Sequence, residues 1–352
     1  MRHAATLERL GGYVLPGGPV DARPAIDQAR ALEASGLGSI YVGERYATKD
    51  LGAIAGALSQ ITTTTRLIAA VTHIGTRHPI ALASLGQTIQ SLSGGRFALG
   101  FGRGSAGRWT SYGVRVPTSV MLADTVDILR RLWAGERVSY HGPAGTFPDL
   151  RLMEIADVPA PRLLMAGIGP RTLELAGQAF DGVILHPLLS PDAVERSAHA
   201  VRRAAAAAGR DPDAVEIHAT VITAPDRPAG EPQFDEVVGA RGLGYLLVAG
   251  LGESIVAANG WDPAELATIR SRFDGLEYHQ LKSIPVGELA KVSTELPGGW
   301  LLNGTASGSY DRCASRIDEY LRSGATNVLL HGLDADAVPP LARAIKERDG
   351  VR

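Results

Sequence analysis

Apolar residues along the chain fall into two alternating rhythms. Some form short unbroken runs; others recur at every third or fourth position over longer stretches. The unbroken runs read as strands buried on both faces, and the recurrent ones as helices with one apolar side. Gly11–Leu15 (GGYVL) is the first strand. Arg23–Ser35 follows as a helix, with Ala25, Ile26, Ala29 and Leu32 on one face and Gly36 closing it. Ser39–Val42 is the second strand and Leu51–Ile61 its helix; Arg66–Thr72 is the third and Ile80–Leu92 its helix. Phe97–Phe101 is the fourth, followed by the helix Ser119–Trp133 with Ser119 as the expected N-cap. Arg162–Ala166 is the fifth, with a helix from Pro170, and Gly182–Leu185 the sixth, with a helix over Ala193–Ala208. Glu216–Ile222 is the seventh strand, Asn327–His331 the eighth, and the helix Val338–Arg348 closes the chain. Eight strands, seven of them with a clear following helix, give the rhythm of a (β/α)8 TIM barrel, an α/β fold.

Two stretches break the rhythm. Residues 138–158 lack helical periodicity and read as an excursion before the fifth strand. Residues 224–310 are far too long for one crossover and hold helical pieces at Phe234–Arg241, Pro263–Phe273 and Val286–Leu296. They form an insertion between the seventh and eighth strands, either a lid and substrate wall over the strand ends or a packing or dimer element.

With 352 residues, 45% of them apolar, the chain is read as one domain spanning residues 1–352 with residues 224–310 inserted in it. A net charge of −2 leaves no electrostatic footprint for nucleic acid. The single cysteine, Cys313, excludes an intramolecular disulfide and a cysteine-rich metal site. No secretion signal and no apolar run of membrane-spanning length is evident, so a cytoplasmic location is expected. No H-E-x-x-H, C-x-x-C or G-x-S-x-G motif is present, and no metal is expected.

The glycine-rich segment FALGFGRGSAGRW (97–109) poses the main question. Gly102-x-Gly104-x-x-Gly107 matches a dinucleotide fingerprint, and Asp124 stands where a ribose ligand would. A Rossmann turn, however, needs a helix beginning at its second or third glycine, and SAGRWTSYGVRVP is a poor helix. Asp124 also falls within a helix. The better reading is a barrel strand end where backbone approaches a flat ligand.

Four stretches then carry a family resemblance: LGSIYVGERYATKD (37–50), RLIAAVTHIGTRHPIALASLGQTIQSLSGGRFALGFGRGS (66–105), LLMAGIGPRTLELAGQAFDGVIL (163–185) and GTASGSYDRCASRIDEYLRSGATNVLLHG (304–332). Together they resemble the bacterial luciferase-like monooxygenase superfamily, in its branch dependent on the deazaflavin coenzyme F420. The family fold is a (β/α)8 barrel, usually a homodimer.

After the fifth strand, Ala166, Gly167, Ile168, Gly169, Pro170, Arg171 and Thr172 run into a helix whose N-terminus favours an anion. The resemblance makes this the cofactor phosphate site; otherwise the glycines shorten a turn that Pro170 ends. Gly102, Arg103, Gly104 and Ser105 would line the flavin-like ring, with Arg103, and less strongly Arg108, for phosphate or an acidic tail. Ala69, Ala70, Val71 and Thr72 end the third strand, where the resemblance implies a non-proline cis peptide bulge behind the ring. Thr72 would face the ring, with His73 and Thr76 as second choices; His78 reads as a packing or capping residue. Glu44-Arg45 stands where relatives carry Asp-His or Glu-His. Arginine stays charged, so Arg45 would orient an anionic substrate or steady an alkoxide, and Glu44 would take the proton role or bond the ring. His186, His218 and His331 lie in or at the ends of later strands.

The resulting expectation is an F420-dependent oxidoreductase that moves a hydride between deazaflavin C5 and a small organic substrate. The alternatives are an FMN-dependent monooxygenase on the same fold and a flavin- or deazaflavin-binding carrier or sensor without turnover.

Overall fold

The computed structural model describes residues 6–15, 20–45, 48–227, 229–276, 280, 283–348 and 350. Along the chain run β1 (Leu10–Tyr13), α1 (Pro24–Ala34), β2 (Ser39–Val42), α2 (Leu51–Ser59), β3 (Arg66–Thr72), α3 (Pro79–Leu92) and β4 (Phe97–Phe101). Next come α4 (Ala106–Ser111), α5 (Ser119–Trp133), β5 (Val138–Gly142), β6 (Gly145–Leu150), β7 (Arg162–Gly167), α6 (Pro170–Ala179) and β8 (Gly182–Leu185). The chain continues through α7 (Pro191–Ala207), β9 (Glu216–Pro225) and α8 (Pro232–Leu246), a helix with a π-type turn over Asp235–Gly239. It closes with α9 (Leu251–Asn259), α10 (Pro263–Arg270), α11 (Val286–Ser293), α12 (Gly298–Asn303), β10 (Thr305–Gly308), α13 (Tyr310–Arg322), β11 (Asn327–His331) and α14 (Val338–Arg348). The fold is a (β/α)8 barrel. Among the described residues no single helix is long and apolar enough to cross a membrane.

The chain divides into two compact units. The first comprises Tyr13–Ile184 and Ala200–Glu216. In it β2, β3, β4 and β7 lie side by side, all parallel. Their runs are unbroken because both faces are covered: Ile40, Tyr41, Leu67, Ile68, Leu99, Phe101 and Met165 are all fully buried. Each such side chain contributes about 1.5–3 kcal/mol relative to exposure. The β3–β4 register slips between Ala69 and Thr72, and a cis peptide joins Ala70 to Val71 there. The helices pack as tightly as the strands. A Cβ added to Gly177 of α6 would lie 2.2 Å from the carbonyl oxygen of Val201 in α7.

The second unit comprises Met1–Gly12, Leu185–His199 and Ile217–Arg352. Its strand order is β10-β9-β11-β1. β9 pairs with β11 from His218 to Ile222 and with β10 from Ile222 to Pro225. The inserted helices have their own packing: Trp261 stacks on Trp300 at 4.6 Å, and a Cβ on Gly239 of α8 would reach within 2.1 Å of Ser293 Oγ on α11. Cys313 is buried, and burial pushes its thiol up to about 12.

The structure corrects several sequence expectations. The first strand ends at Tyr13, and β9 runs on to Pro225. Residues 224, 225 and 305–308, expected in the insertion, are strand. Residues 138–158 contain the hairpin β5–β6. Thr118, not Ser119, caps α5, its hydroxyl accepting from Met121 N at 3.2 Å. SAGRWTSYGVRVP does hold a short helix, α4, whose buried Trp109 anchors it despite Gly107.

Substituting Gly177→Ala is expected to cost about 1–3 kcal/mol by overpacking the α6–α7 crossing. A urea unfolding midpoint equal to that of the parent would refute this.

Candidate active site

Strand β2 delivers Glu44 to a nearly closed position, 8% exposed. Its Oε1 accepts the backbone N–H of Leu51 at 3.1 Å, at the start of α2. Its Oε2 accepts the Thr72 hydroxyl at 3.1 Å, from the end of β3, and pairs closely with Arg77 Nη1. Arg77 Nη1 also donates to Thr72 Oγ1 at 3.1 Å, while Nη2 reaches Asp50 at 2.6 Å. Asp50 in turn caps α2 through Ala53 N at 2.9 Å. Burial disfavours the Arg77 charge, but hydrogen bonds and charge from Glu44 and Asp50 outweigh it and raise its pKa. The buried carboxyl group of Glu44 and the largely covered guanidinium of Arg77 are thus paired with each other by charge and hydrogen bonds. Arg45, one residue on, is exposed; its guanidinium carbon lies 3.7 Å from where a Cβ on Gly43 would stand.

The bulge on β3 is held from two sides. Tyr13 donates its hydroxyl to the Ala70 carbonyl at 2.8 Å. From β4, Gly100 and Gly102 come so close that a Cβ on them would lie 2.3 Å from Ala69 O and 2.6 Å from Val71 Cγ2. Gly102 N bonds Thr72 O at 3.0 Å. These glycines are needed where two strands meet at an irregular register. Gly104 has φ +61, with the Trp109 indole at 2.5 Å from its would-be Cβ. Trp109 donates to Arg103 O at 2.6 Å and packs tilted against His73, ring centroids 3.9 Å apart. His73 is 1% exposed, and burial pulls its pKa down to about 4. Its Nδ1 accepts Gly75 N at 3.0 Å, which places the proton on Nε2, a buried donor without a partner.

Arg103 donates to Pro117 O at 3.0 Å and Ser119 Oγ at 2.7 Å, so its guanidinium braces the loop before α5. Ser105 precedes α4 without capping it through its side chain. Asp124 accepts the Tyr140 hydroxyl at 2.5 Å and belongs to the hairpin contact. The glycine run is thus a barrel strand end.

The remaining candidates sit at the β7–α6 turn. Ala166 and Gly167 end the strand, and Ile168 is buried. Gly169 is the N-cap, makes no side-chain cap, and has nothing within 4 Å of a would-be Cβ. Pro170 starts α6, and Thr172 packs its methyl against Gly167. Arg171 is exposed and makes no described hydrogen bond or ion pair. An open helix N-terminus with a free guanidinium suits an anion.

The sequence reading missed Arg77, Tyr13 and Trp109. Arg77 lies within the stretch 66–105, next to His78, which caps α3 through Ile80 N at 3.3 Å. In the second unit His331 Nε2 lies 2.7 Å from the hydroxyl of Tyr245, against which His186 packs edge-on at 4.9 Å; His218 is fully buried.

Comparison with known proteins follows from this geometry. Residues 3–327 match the model of the luciferase-like monooxygenase family. A 5,10-methylenetetrahydromethanopterin reductase of Methanolobus tindarius is 26% identical over 306 residues, 86% of this chain and 87% of the relative. Among solved structures, a coenzyme F420-dependent tetrahydromethanopterin reductase from Methanopyrus kandleri superposes with TM-score 0.74 at 20% identity, covering 97% of this chain and 99% of that one. An F420-dependent secondary alcohol dehydrogenase, solved with an F420–acetone adduct, gives 0.71 at 19% identity, covering 96% and 98%.

Two outcomes are expected. Arg77→Met should destabilise the protein by about 3 kcal/mol, and adding Glu44→Gln should recover part of that loss; additive losses in urea unfolding would contradict the pairing. Between its ordinary value of 6.5 and about 4, His73 takes up a proton in the unfolded chain but not in the folded one. Stability should therefore fall as pH drops through that window, by roughly 3 kcal/mol from this residue. His73→Asn should flatten the dependence of melting temperature on pH; an unchanged slope would remove His73 as its source.

Proposed function

The chain belongs to the luciferase-like monooxygenase family, and from that premise we propose that it is a coenzyme F420-dependent oxidoreductase acting on a small organic substrate. The observation that carries this reading is the pairing of two features in one unit. The β7–α6 turn offers an open helix N-terminus beside unpaired Arg171. The β3 bulge, backed by Tyr13 and the glycines of β4, presents backbone beside the buried Nε2–H of His73. Bound there, F420 supplies hydride chemistry at C5 of its ring.

The chain's own residues have the following roles in this proposal. Arg171 and the N–H groups at the start of α6 hold the phosphate. Ala69–Thr72 back the ring, and Gly102, Gly104 and Ser105 leave room along it. Arg103 acts by fixing the loop ahead of α5. Glu44, bonded to Arg77, Thr72 and the Leu51 N–H, ties the end of β3 to the start of α2. Arg45 keeps its guanidinium free to orient an anionic substrate or to steady developing negative charge on a substrate oxygen. Being neutral at pH 7, His73 serves as a hydrogen-bond donor. A homodimer, as the family resemblance implies, completes the proposal.

The test is binding of F420 and FMN to the purified apoprotein, side by side, by quenching of tryptophan fluorescence. F420 should bind more tightly, and Arg171→Ala should weaken it by roughly tenfold or more, the value of a charge-assisted hydrogen bond. Tighter binding of FMN would move the function to flavin-dependent monooxygenation. Binding of neither would overturn the proposal.

A further inference from the structure

The insertion helix α8 carries an arginine whose charge is not met. Arg241 is half-buried, and its Nη1 is fully shielded yet has no hydrogen-bond partner. It forms no ion pair among the described residues. Other arginines of the same unit behave differently. Arg9 donates to the carbonyls of Thr326 and Ala325, Arg270 to Leu246 O and Glu253, and Arg316 to Asn303 O and Glu319. Arg316 leaves its own buried Nε without a partner but meets acceptors through both Nη atoms, whereas Arg241 meets none among the described residues; a covered guanidinium normally finds acceptors for its donors.

Its position is specific. A Cβ on Gly332, where φ is +79, would fall 1.3 Å from Arg241 Nη1. Only a glycine lets the guanidinium lie directly on the backbone that leaves β11. Tyr245 stands four residues further along α8, on the same helix face. Its hydroxyl is 2.7 Å from Nε2 of His331, the last residue of β11. His186, which follows β8, packs edge-on against the same ring. A cation, a hydroxyl and two imidazoles are therefore gathered at the carboxyl ends of strands, where barrel proteins carry their ligand sites. The aspartates Asp226, Asp334 and Asp336 line a cavity of about 480 Å³ together with Gly332 and Val237, but none pairs with Arg241.

We propose that Arg241, with Tyr245 and His331, forms a binding site for an oxyanion, a carboxylate or phosphate carried by a small organic molecule. A guanidinium offers two parallel donors matched to either group, and the tyrosine hydroxyl adds a third with His331 Nε2 as the donor to its oxygen. On the function proposed above, the bearer of that group is the organic substrate, a step that rests on that reading; the anion site itself does not.

Isothermal titration calorimetry of the full chain with succinate and with inorganic phosphate tests the site. Arg171→Gln serves as the background, so that the arginine proposed to hold the cofactor phosphate does not contribute. The expected result is saturable binding of at least one anion, weakened roughly tenfold or more when Arg241→Gln is added. The tighter of the two probes identifies the headgroup. The doubly substituted chain should melt no lower than its background, since the change removes an unmet charge; if it melts lower, Arg241→Lys, which keeps the charge but loses the fork, takes its place with the same expected weakening. Equal affinity with and without Arg241, or no binding of either anion, overturns the proposal. F420 binding to the Arg241→Gln chain, measured separately, shows whether the cofactor reading stands when this one fails.

Discussion

A carboxylate almost closed off from water has to be met by charge and by hydrogen bonds, or it protonates or disrupts its surroundings. Glu44 is such a group, and the way it is met fixes much of the first unit. Leu51 N ties it to the first turn of α2, Thr72 to the end of β3, and Arg77 to the turn before α3. Arg77 then carries the link onward to Asp50, the cap of α2. The start of α2, the end of β3 and the turn before α3 converge on one side chain. Networks of this kind hold a single arrangement because each missing member leaves another unsatisfied. The segment so fixed is the end of β3, the same place where the register slips.

The barrel was legible because its strands are covered on both faces, which forces unbroken apolar runs. β2, β3, β4, β8 and β11 fall on the predicted residues. Elements held by backbone pairing left no such mark. β10 is Thr-Ala-Ser-Gly, fully buried but made of small and polar residues, and it is a strand only because β9 lies beside it. Helix α4 contains a glycine and forms because Trp109 is gripped by His73 and by the Arg103 carbonyl, contacts invisible to local propensity.

The site was legible to the same degree and for related reasons. The turns proposed to bring backbone near a ligand, after β4 and between β7 and α6, are marked in the sequence by their glycines. The groups that hold them do not. Arg77 is 33 residues from Glu44 and Tyr13 is 57 from Ala70, and no spacing rule connects either pair. Arg103, expected to face an anionic tail, spends its donors on Pro117 and Ser119. A guanidinium in a loop looks alike in sequence whether it serves a ligand or the loop itself.

The buried thiol has a practical consequence. Cys313 is the sole cysteine of the chain, is covered on all sides and is held protonated well above neutral pH. Maleimides and nitroxide reagents attack thiolates that they can reach. A cysteine introduced at any exposed position would therefore be the one reactive thiol, with no background to remove first. Spin labels or dye pairs can be placed on the inserted helices and on the loops around β3 and β4, and distances followed as ligands are added, in the otherwise native protein.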